Sequence, residues 1–452
     1  MQRRFTIRQE KLEKNVSEII LRHICLGIER DFDIFLAIPV MADREIFSTL
    51  QSISECDTLG KSVVVAVLLN EPEDAEENIK EENRKIFEEL LRVSKRYERD
   101  DLKIEVRYIR SVPKNVAGVG FARRILMDEA ICSIYKKCKR KDELYEILYR
   151  KFIFSLDSDS TVSKNYFSAF DFVDSKGADF GIMSFAHRFS EREEIKEAGI
   201  VWELFLRYWK NSLRVCGYKN AFYPIGSLFA FRALVYVVSM GMSVRKAGED
   251  FYFLQKVMGF SDVVEVPGVY VFPKAEPSLR TPFGTGKEIY LFISGNRDRI
   301  EKVWNFRSFE VLEQVIQNPE NLPDIFFDFL RNNEKFRAQY ERLEKLRLKD
   351  RELFVEKFFE WFNPFKVFKF LRFCESIYGR SFIDEEVRKL IMKMDEKGYI
   401  QSDELKNEKM KLLDFERKSE SYSSGMTESK VHRYESLLAF LRKVDDYLSF
   451  SR

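Results

Sequence analysis

The stretch KFIFSLDSDS, residues 151–160, is the most informative part of this chain for its architecture. Residues 151–156 form a short, mainly apolar run, which predicts a buried β-strand. Two aspartates, Asp157 and Asp159, follow this run directly. In open α/β sheets, ligands bind beyond the carboxyl ends of the strands. The sequence therefore predicts a pair of carboxylates at the ligand-binding edge of a sheet.

The residues before this stretch predict the rest of a parallel sheet. Three further strands are predicted at 33–39 (DIFLAIP), 62–69 (SVVVAVLL) and 103–109 (KIEVRYI). The second run is rich in Val and Leu without alternation, which is typical of a parallel strand covered on both faces. Helical spacing is found between the strands, at 44–56, 71–101 and 121–137. Strands that alternate with helices predict an α/β fold, with a mostly parallel mixed sheet and helices on both faces.

The second half of the chain changes character. Strands are predicted at 179–185, 227–232 and 263–272, and helices at 233–240 and 249–258. Strand signals stop near residue 287, and residues 306–395 are helix-forming and rich in phenylalanine. This composition predicts a mainly α-helical C-terminal domain with an aromatic core. Phe and Trp beside Lys and Arg also suit a membrane surface or a partner, such as a second copy in a homodimer, and this alternative stays open.

The predicted organisation has four parts, because 452 residues are too many for one compact core. They are a helical lead-in at 1–30, the α/β domain at 31–290, a helical accessory domain at 291–415, and a polar linker with a terminal helix at 416–452. The linker is the Ser-rich stretch at 417–430.

The charge balance excludes some classes of protein. Lys and Arg number 76 and Asp and Glu 74, which leaves a net charge of +2. A dedicated nucleic-acid binder normally carries a basic excess, so we expect no nucleic-acid partner. No apolar run is long enough to span a membrane, and the charged start lacks an apolar secretory segment. We therefore expect a cytoplasmic protein, with peripheral contact at the inner face of the membrane as the alternative.

The six cysteines are scattered along the chain, and no two are spaced as Cys-x-x-Cys. Only three histidines are present, so few side chains are available for a zinc site built from Cys and His. We expect a few buried thiols in a reducing compartment.

Three motifs carry candidate chemistry, and each has a plain structural alternative. Asp157-Ser158-Asp159 offers oxygen ligands to a hard divalent cation, but it also suits a solvated turn or a helix cap. Glu249-Asp250 opens a predicted helix, so these carboxylates either favour the helix N-terminus or provide a general base.

The third motif is PKNVAGVGFARR, residues 113–124. Gly118 and Gly120 permit close backbone approach, and Arg123 and Arg124 open the following helix. Together they would hold a phosphate through amides, helix dipole and guanidinium groups. The alternative is a flexible loop followed by surface arginines, because the string lacks the full glycine set of a dinucleotide loop and a Walker lysine.

The order of these motifs resembles the family 2 nucleotide-sugar glycosyltransferases of the GT-A fold. The resemblance covers about residues 33–290. It rests on four features in order: the strand that ends at Pro39, the Gly-x-Ala-Arg segment that ends at Arg123, Asp-Ser-Asp after the fourth strand, and Glu-Asp further along the chain. It implies a GT-A domain that binds a nucleoside diphosphate sugar and a divalent cation, Mn²⁺ or Mg²⁺.

The resemblance also implies roles for individual residues. The nucleotide base would lie against Pro39, the acidic candidates Asp43 and Glu45, and Asn70, which stands where the family usually has a carboxylate. Gly118 and Arg123 would lie near the donor phosphates.

Asp157 and Asp159 match the DXD pair that contacts the metal and the ribose, and Asp250 matches the base that activates the acceptor, with Glu249 beside it. Arg280, in a stretch resembling a loop of some bacterial members, would close over the diphosphate, unless that stretch is an ordinary turn. A histidine that some relatives supply as a metal ligand has no counterpart there, and His187 more often suits a structural role.

The resulting prediction is a hexosyltransferase-type glycosyltransferase that moves a sugar from a nucleoside diphosphate sugar to a hydroxyl group. The acceptor would be a glycan, as in polysaccharide biosynthesis, or a small molecule, and an inverting reaction with a carboxylate base is expected. Two alternatives remain: a non-catalytic scaffold with a degenerate transferase domain, and a sugar nucleotidyltransferase.

Overall fold

Two compact units make up the chain in the computed structural model, which describes residues 7–244, 248–282, 284–420 and 426–450. The sheet unit comprises the described parts of Met1–Arg188, Pro224–Lys274 and Arg280–Phe283. The helical unit comprises those of Phe189–Tyr223, Ala275–Leu279 and Gly284–Arg452. The chain thus enters the helical unit at Phe189, whereas the boundary predicted from the sequence lies at residue 290.

The sheet of the first unit has strands β1 (Ile34–Val40), β2 (Val63–Pro72), β3 (Leu102–Val112), β4 (Phe152–Ser155), β5 (Ser160–Val162), β6 (Phe180–Phe185), β7 (Arg188–Phe189), β8 (Phe229–Arg232) and β9 (Val263–Ala275). Their order is β3-β2-β1-β4-β8-β6-β9-β5, with β7 beside β9. The pairs β3–β2, β2–β1, β1–β4 and β6–β9 are parallel, while β4–β8, β8–β6 and β9–β5 are antiparallel.

The buried strands explain why the sheet forms. All seven residues of β1 and the first nine of β2 are buried, although successive side chains point to opposite faces. Both faces of the sheet are therefore covered, as the apolar runs without alternation predict. The predicted mostly parallel, mixed α/β fold with helices on both faces is confirmed, as is the mainly helical C-terminal part.

The helices before the end of the sheet are α1 (Gln9–Arg22), α2 (Ile46–Ser54), α3 (Glu77–Val93), α4 (Val119–Lys137), α5 (Leu144–Arg150), α6 (Ser168–Ser175), α7 (Glu193–Val215), α8 (Ala233–Val238) and α9 (Glu249–Val257). Helix α4 packs on β1 and β2, and α1 packs on α4. Of these helices, α7 belongs to the helical unit.

One predicted helix begins later than expected. The charged pattern predicts a helix from Glu71, but β2 continues to Pro72 and α3 begins at Glu77. The reason is pairing with β3, since Asn70 of β2 lies opposite Ile109 and Pro72 opposite Val112. Glu71 is consequently a buried strand residue rather than part of a solvent-facing helix.

The remaining helices are α10 (Thr285–Ile293), α11 (Asp298–Glu301), α12 (Arg307–Gln317), α13 (Asp324–Arg331), α14 (Glu334–Arg347), α15 (Arg351–Trp361), α16 (Pro364–Tyr378), α17 (Ile383–Glu396), α18 (Asp403–Glu420) and α19 (Met426–Phe450). A short antiparallel pair, β10 (Lys302–Trp304) and β11 (Arg380–Phe382), lies among them, although no strand is predicted there. Of the predicted linker at 417–430, residues 421–425 lie outside the described residues, and the remainder is helical.

The helical unit is assembled around α7, which packs against α10, α17 and α19. The predicted aromatic core is confirmed. The Phe326 ring, for example, has its centroid 5.6 Å from those of both Phe362 and Phe370. In the described parts of the chain, no helix combines the length and the apolar character that crossing a membrane requires.

Candidate active site

The parallel strands place two loops and one strand end at the same edge of the sheet. Strands β2, β1 and β4 are neighbours and run in the same direction, so their carboxyl ends lie together. The loop after β1 carries Asp43 and Glu45, the end of β2 carries Asn70, and the loop after β4 carries Asp157 and Asp159. This edge is where the general rule for open α/β sheets expects a ligand.

The centre of the site is the Arg123 side chain, from the first turns of α4. Its guanidinium contacts the carboxylates of both Asp157 and Glu249. Arg123 is 3% exposed and Glu249 is 1% exposed, so these two residues form a buried ion pair. Asp157 contacts the same guanidinium from the edge of the site. Burial by itself would lower the pKa of Arg123, but the charges of Asp157 and Glu249 outweigh it and raise that pKa.

Gly226 makes room for this guanidinium, and sequence reasoning missed it. A Cβ atom at residue 226 would lie 2.5 Å from Nη1 and 2.7 Å from Cζ of Arg123, so a larger residue would displace the side chain. The Gly226 amide also donates a hydrogen bond to Asp250 Oδ2 at 3.1 Å. The one available signal is that a glycine stands directly before the predicted strand at 227–232.

Asp250 is held in the first turn of α9, which begins after Gly248. Gly248 has a φ of 76°, in the left-handed region where glycine is favoured. The Asp250 side chain accepts hydrogen bonds at both oxygens, from Gly226 and at 2.7 Å from the Phe251 amide. Burial and the negative charge of Glu249 raise the pKa of Asp250 to about 7, although Arg123 opposes the shift.

The loop after β4 is tied to the loop after β1 through Ser158. Its hydroxyl donates a 3.0 Å hydrogen bond to Asp43 Oδ2, and its carbonyl accepts one of 2.8 Å from Thr49 Oγ1. The residue between the two aspartates thus positions the pair, a role that the sequence does not indicate. Arg280 Nη1 donates to the same Asp43 oxygen at 3.0 Å, so the predicted loop residue Arg280 does reach this site.

Asp159 lies in a region of accumulated negative charge. Burial and the charges of Asp157 and Asp43 raise the pKa of Asp159 to about 7, and Arg280 opposes this rise. The Asp159 carbonyl accepts a 2.9 Å hydrogen bond from Arg188 Nη2, which fixes the backbone of the loop.

Two residues predicted at the nucleotide base are Glu45 and Pro39. Glu45 accepts hydrogen bonds from Lys274 Nζ at 3.0 Å and Arg188 Nη2 at 3.2 Å. Pro39 lies inside β1 and is buried. A contact of either residue with a nucleotide base stays a prediction.

The end of β2 is polar and enclosed. Asn70 is 2% exposed, and its Nδ2 has no hydrogen-bond partner among the described residues. Next to it, the buried Glu71 accepts hydrogen bonds from Tyr108 Oη and, at 3.3 Å, from Asn83 Nδ2. Sequence reasoning missed Glu71 because its charge was assigned to a solvent-facing helix. A buried amide donor without a protein partner is suited to a ligand that accepts a hydrogen bond.

The remaining predicted residues have simpler surroundings. Gly118 precedes α4 with a φ of 145°, a conformation that favours glycine. Arg124 lies 3.7 Å from Asp128 one turn further along the same helix. The His187 ring packs edge-on against Phe185, with centroids 5.3 Å apart.

No protein-family model matches this chain, and no curated protein matches it significantly. Solved structures resemble it distantly. The mannosyltransferase PcManGT from Pyrobaculum calidifontis, in complex with GDP-Man and Mn²⁺, is 11% identical with a TM-score of 0.36, over 97% of this chain and 94% of that one. TarS 1–349 from S. aureus is 13% identical with a TM-score of 0.34, over 63% of this chain and 80% of that one.

A third neighbour, core-mannan synthase A from Aspergillus fumigatus in an Mn/GDP form, is 11% identical with a TM-score of 0.25, over 59% of this chain and 84% of that one. A further TarS structure contains UDP-GlcNAc.

Proposed function

We propose that this protein is a metal-dependent glycosyltransferase that moves a hexosyl group from a nucleoside diphosphate sugar to a hydroxyl acceptor with inversion. One observation carries the proposal: a single buried guanidinium, that of Arg123, contacts both Asp157 after β4 and Glu249 beside Asp250. This contact supports one site in which the carboxylates suited to a metal lie near the carboxylate suited to a base.

Asp157 and Asp159 would hold the cation. The donor set is oxygen, and the charge of Asp43 adds to theirs, which fits a hard divalent ion such as Mn²⁺ or Mg²⁺. Such ions are usually held by one or two carboxylates, with phosphate oxygens and water completing the set. When bound, the cation would stabilise the negative charge that develops on the departing diphosphate.

Asp250 would accept the proton of the acceptor hydroxyl as that oxygen attacks the sugar. A general base works best when its pKa lies near the working pH, and the pKa of Asp250 is about 7. The two amide donors from Gly226 and Phe251 orient its carboxylate. Arg123 contacts the neighbouring Glu249 and thereby holds that side chain in place.

The buried end of β2 would bind the nucleotide base through Asn70, with Glu71 beside it, and Asp43 and Glu45 would lie near the same moiety. Gly118 and the α4 N-terminus would approach the phosphates, with Arg280 closing over them. A glycan acceptor of polysaccharide biosynthesis, a cytoplasmic location, and membrane contact or dimerisation through the helical unit belong to the same proposal.

The proposal is tested by hydrolysis of nucleotide sugars without an acceptor, in which water takes the place of the hydroxyl. We expect Mn²⁺-dependent release of nucleoside diphosphate and free sugar from at least one donor of a UDP- and GDP-sugar panel. Asp157→Ala and Asp159→Ala should abolish this release, because each removes a cation ligand. Asp171→Ala, at a surface carboxylate on α6 that is 49% exposed, is the matched control.

The outcomes separate the alternatives. Turnover close to that of the unmodified protein in either variant would refute the metal role. Donor binding without hydrolysis, measured as thermal stabilisation by the nucleotide sugar, would favour the scaffold. Formation of a nucleotide sugar and pyrophosphate from a nucleoside triphosphate and a sugar phosphate would favour the nucleotidyltransferase.

A further inference from the structure

A second group of potential metal ligands lies outside this site. The ligand atoms of His23, Cys25 and Glu129 all lie within 4.8 Å of one another. His23 Nε2 and Glu129 Oε2 are 2.5 Å apart. In the described parts of the chain, no other group of three such side chains is this compact. The proposed function gives these residues no role.

The fold builds this group from two segments that are distant in sequence. His23 and Cys25 lie in the segment that follows α1, and Glu129 lies in the middle of α4. The Glu129 carboxylate accepts hydrogen bonds from the Leu26 amide at 3.0 Å and the Ile28 amide at 2.7 Å. The carboxylate therefore fixes the backbone around Cys25, which makes the geometry of the group reproducible.

Two features of the side chains suit a ligand role. The His23 side chain is 5% exposed, and its Nδ1 has no partner among the described residues. Cys25 is exposed, which leaves a path for an ion from solvent.

A second cysteine lies near the group. Cys132 lies one helical turn after Glu129 on α4, so both side chains extend from the same side of the helix. Cys132 is 5% exposed, whereas Cys25 is exposed. The Cys132 thiol is not one of the three groups whose ligand atoms lie within 4.8 Å of one another.

We infer that His23, Cys25 and Glu129 form a site for a borderline-soft divalent cation such as Zn²⁺, with water as the fourth ligand. A thiolate, an imidazole and a carboxylate are donors that tetrahedral zinc takes, whereas Mn²⁺ and Mg²⁺ prefer oxygen. The ion would fasten the segment after α1 to α4, the helix that also provides Arg123. His23 and Cys25 are distant in sequence from Glu129, so the spacing of residues along the chain does not indicate this group.

The site is tested on the full chain, reduced and stripped of metal, with Co²⁺ as an optical probe. We expect one equivalent of Co²⁺ to produce a thiolate-to-cobalt charge-transfer absorption that Zn²⁺ displaces. Cys25→Ser and His23→Gln should weaken binding by roughly 10–100-fold or more, since even outer partners of a metal site contribute this much. Cys138→Ser is the matched control, because the Cys138 thiol donates to the Arg140 carbonyl instead.

A second measurement does not depend on the spectrum. Zn²⁺ should raise the thermal midpoint of the unmodified protein and of Cys138→Ser, but not that of Cys25→Ser, because the ion binds the folded state. The Cys25 side chain is exposed, so this variant is expected to fold. Absence of charge-transfer absorption, or equal loss in the Cys138 variant, would overturn the inference. Asp157→Ala should retain full Co²⁺ binding, which separates this site from the candidate active site.

Discussion

Arg123 connects the parts of the candidate active site, because one guanidinium contacts carboxylates that belong to different loops. It is buried, and Gly226 leaves the space that the guanidinium occupies. A buried ion pair is not strong evidence for stability, because desolvation offsets the attraction. Removal of one partner is costly, however, because the other charge is then left buried and unpaired.

Arg123→Met is therefore expected to lower the free energy of unfolding by about 3–5 kcal/mol, since Glu249 would lose its counter-charge. Glu249→Gln added to this variant should recover part of the loss by removing the unpaired charge. Denaturant unfolding of the single and double variants measures both effects. Arg150→Met, at a side chain that is 74% exposed, should change stability by about 1 kcal/mol or less. If the two substitutions changed the free energy of unfolding additively, the result would contradict an ion pair between Arg123 and Glu249.

Asp250→Asn is expected to reduce transfer by roughly 10²–10⁴-fold, because an amide cannot accept the acceptor's proton. In the unmodified protein, kcat/KM should rise with pH through about 7 as the carboxyl group loses its proton. That rise should be absent in the variant. Donor affinity, measured by calorimetry, should be unchanged. Loss of donor affinity instead would assign Asp250 to the nucleotide-binding part of the site.

The elements of the sheet unit hold the carboxylates by short-range contacts at their ends. The loop after β4 is anchored to α2 by Thr49 and to the loop after β1 by Ser158, so both aspartates have a defined backbone. Helix α9 begins at Glu249 and thereby presents Asp250 in its first turn. The ends of the strands determine where the aspartates lie, and these hydrogen bonds fix the backbone from which their side chains extend.

In the helical unit, the buried carboxylate of Asp445 joins α19 to α7. Asp445 of α19 contacts Arg207, Lys210 and Arg214 of α7 at 2.5, 3.5 and 3.2 Å. Tyr223 donates to the same carboxylate at 2.7 Å. Burial opposes ionisation, but these cations and the tyrosine hold the pKa of Asp445 well below its usual range.

Asp445→Asn is expected to lower the free energy of unfolding by about 3–5 kcal/mol, because three buried cations lose their shared partner. A group whose pKa is depressed by folding contributes stability above its unfolded pKa. The contribution should thus be complete at neutral pH and should diminish as the pH falls below about 4. Urea unfolding measures it, and Asp328→Asn, at a carboxylate 46% exposed on α13, is the control. Equal losses of unfolding free energy in the two variants would contradict the role of Asp445 in joining α19 to α7.

The stability of the whole chain should depend on pH through the acids of the candidate active site. Folding raises the pKa values of Asp159 and Asp250 to about 7. The folded state therefore binds protons at these two groups more tightly than the unfolded state does, so protonation of either group stabilises the folded state. Their contribution is complete below the unfolded pKa of about 4 and is lost as the pH rises through about 7.

We therefore expect the metal-free protein to lose stability between about pH 4 and pH 7 through these groups. Asp250→Asn should reduce this loss, because an amide does not titrate. Chemical unfolding in the presence of a chelator, at several pH values, measures the slope. An identical slope in the variant and the unmodified protein would contradict the raised pKa of Asp250.

Local sequence was sufficient to predict most strands of the sheet. The apolar runs at 33–39, 62–69 and 151–156 became buried parallel strands, and Asp157 and Asp159 stand at the sheet edge as predicted. These predictions succeed because the period of a strand or helix, and the position of a polar residue at its end, are properties of neighbouring residues. The late start of α3 was missed, because strand pairing with β3 overrode the local charge pattern.

The partners of the side chains depended on the folded chain. Arg123 and Glu249 are 126 residues apart, and His23 and Glu129 are 106 apart, yet each pair is in contact. The space at Gly226, the anchoring role of Ser158 and the burial of Glu71 likewise follow from how strands align and helices pack. No periodicity along the chain encodes such contacts, because they join segments whose separation in sequence bears no fixed relation to their separation in space.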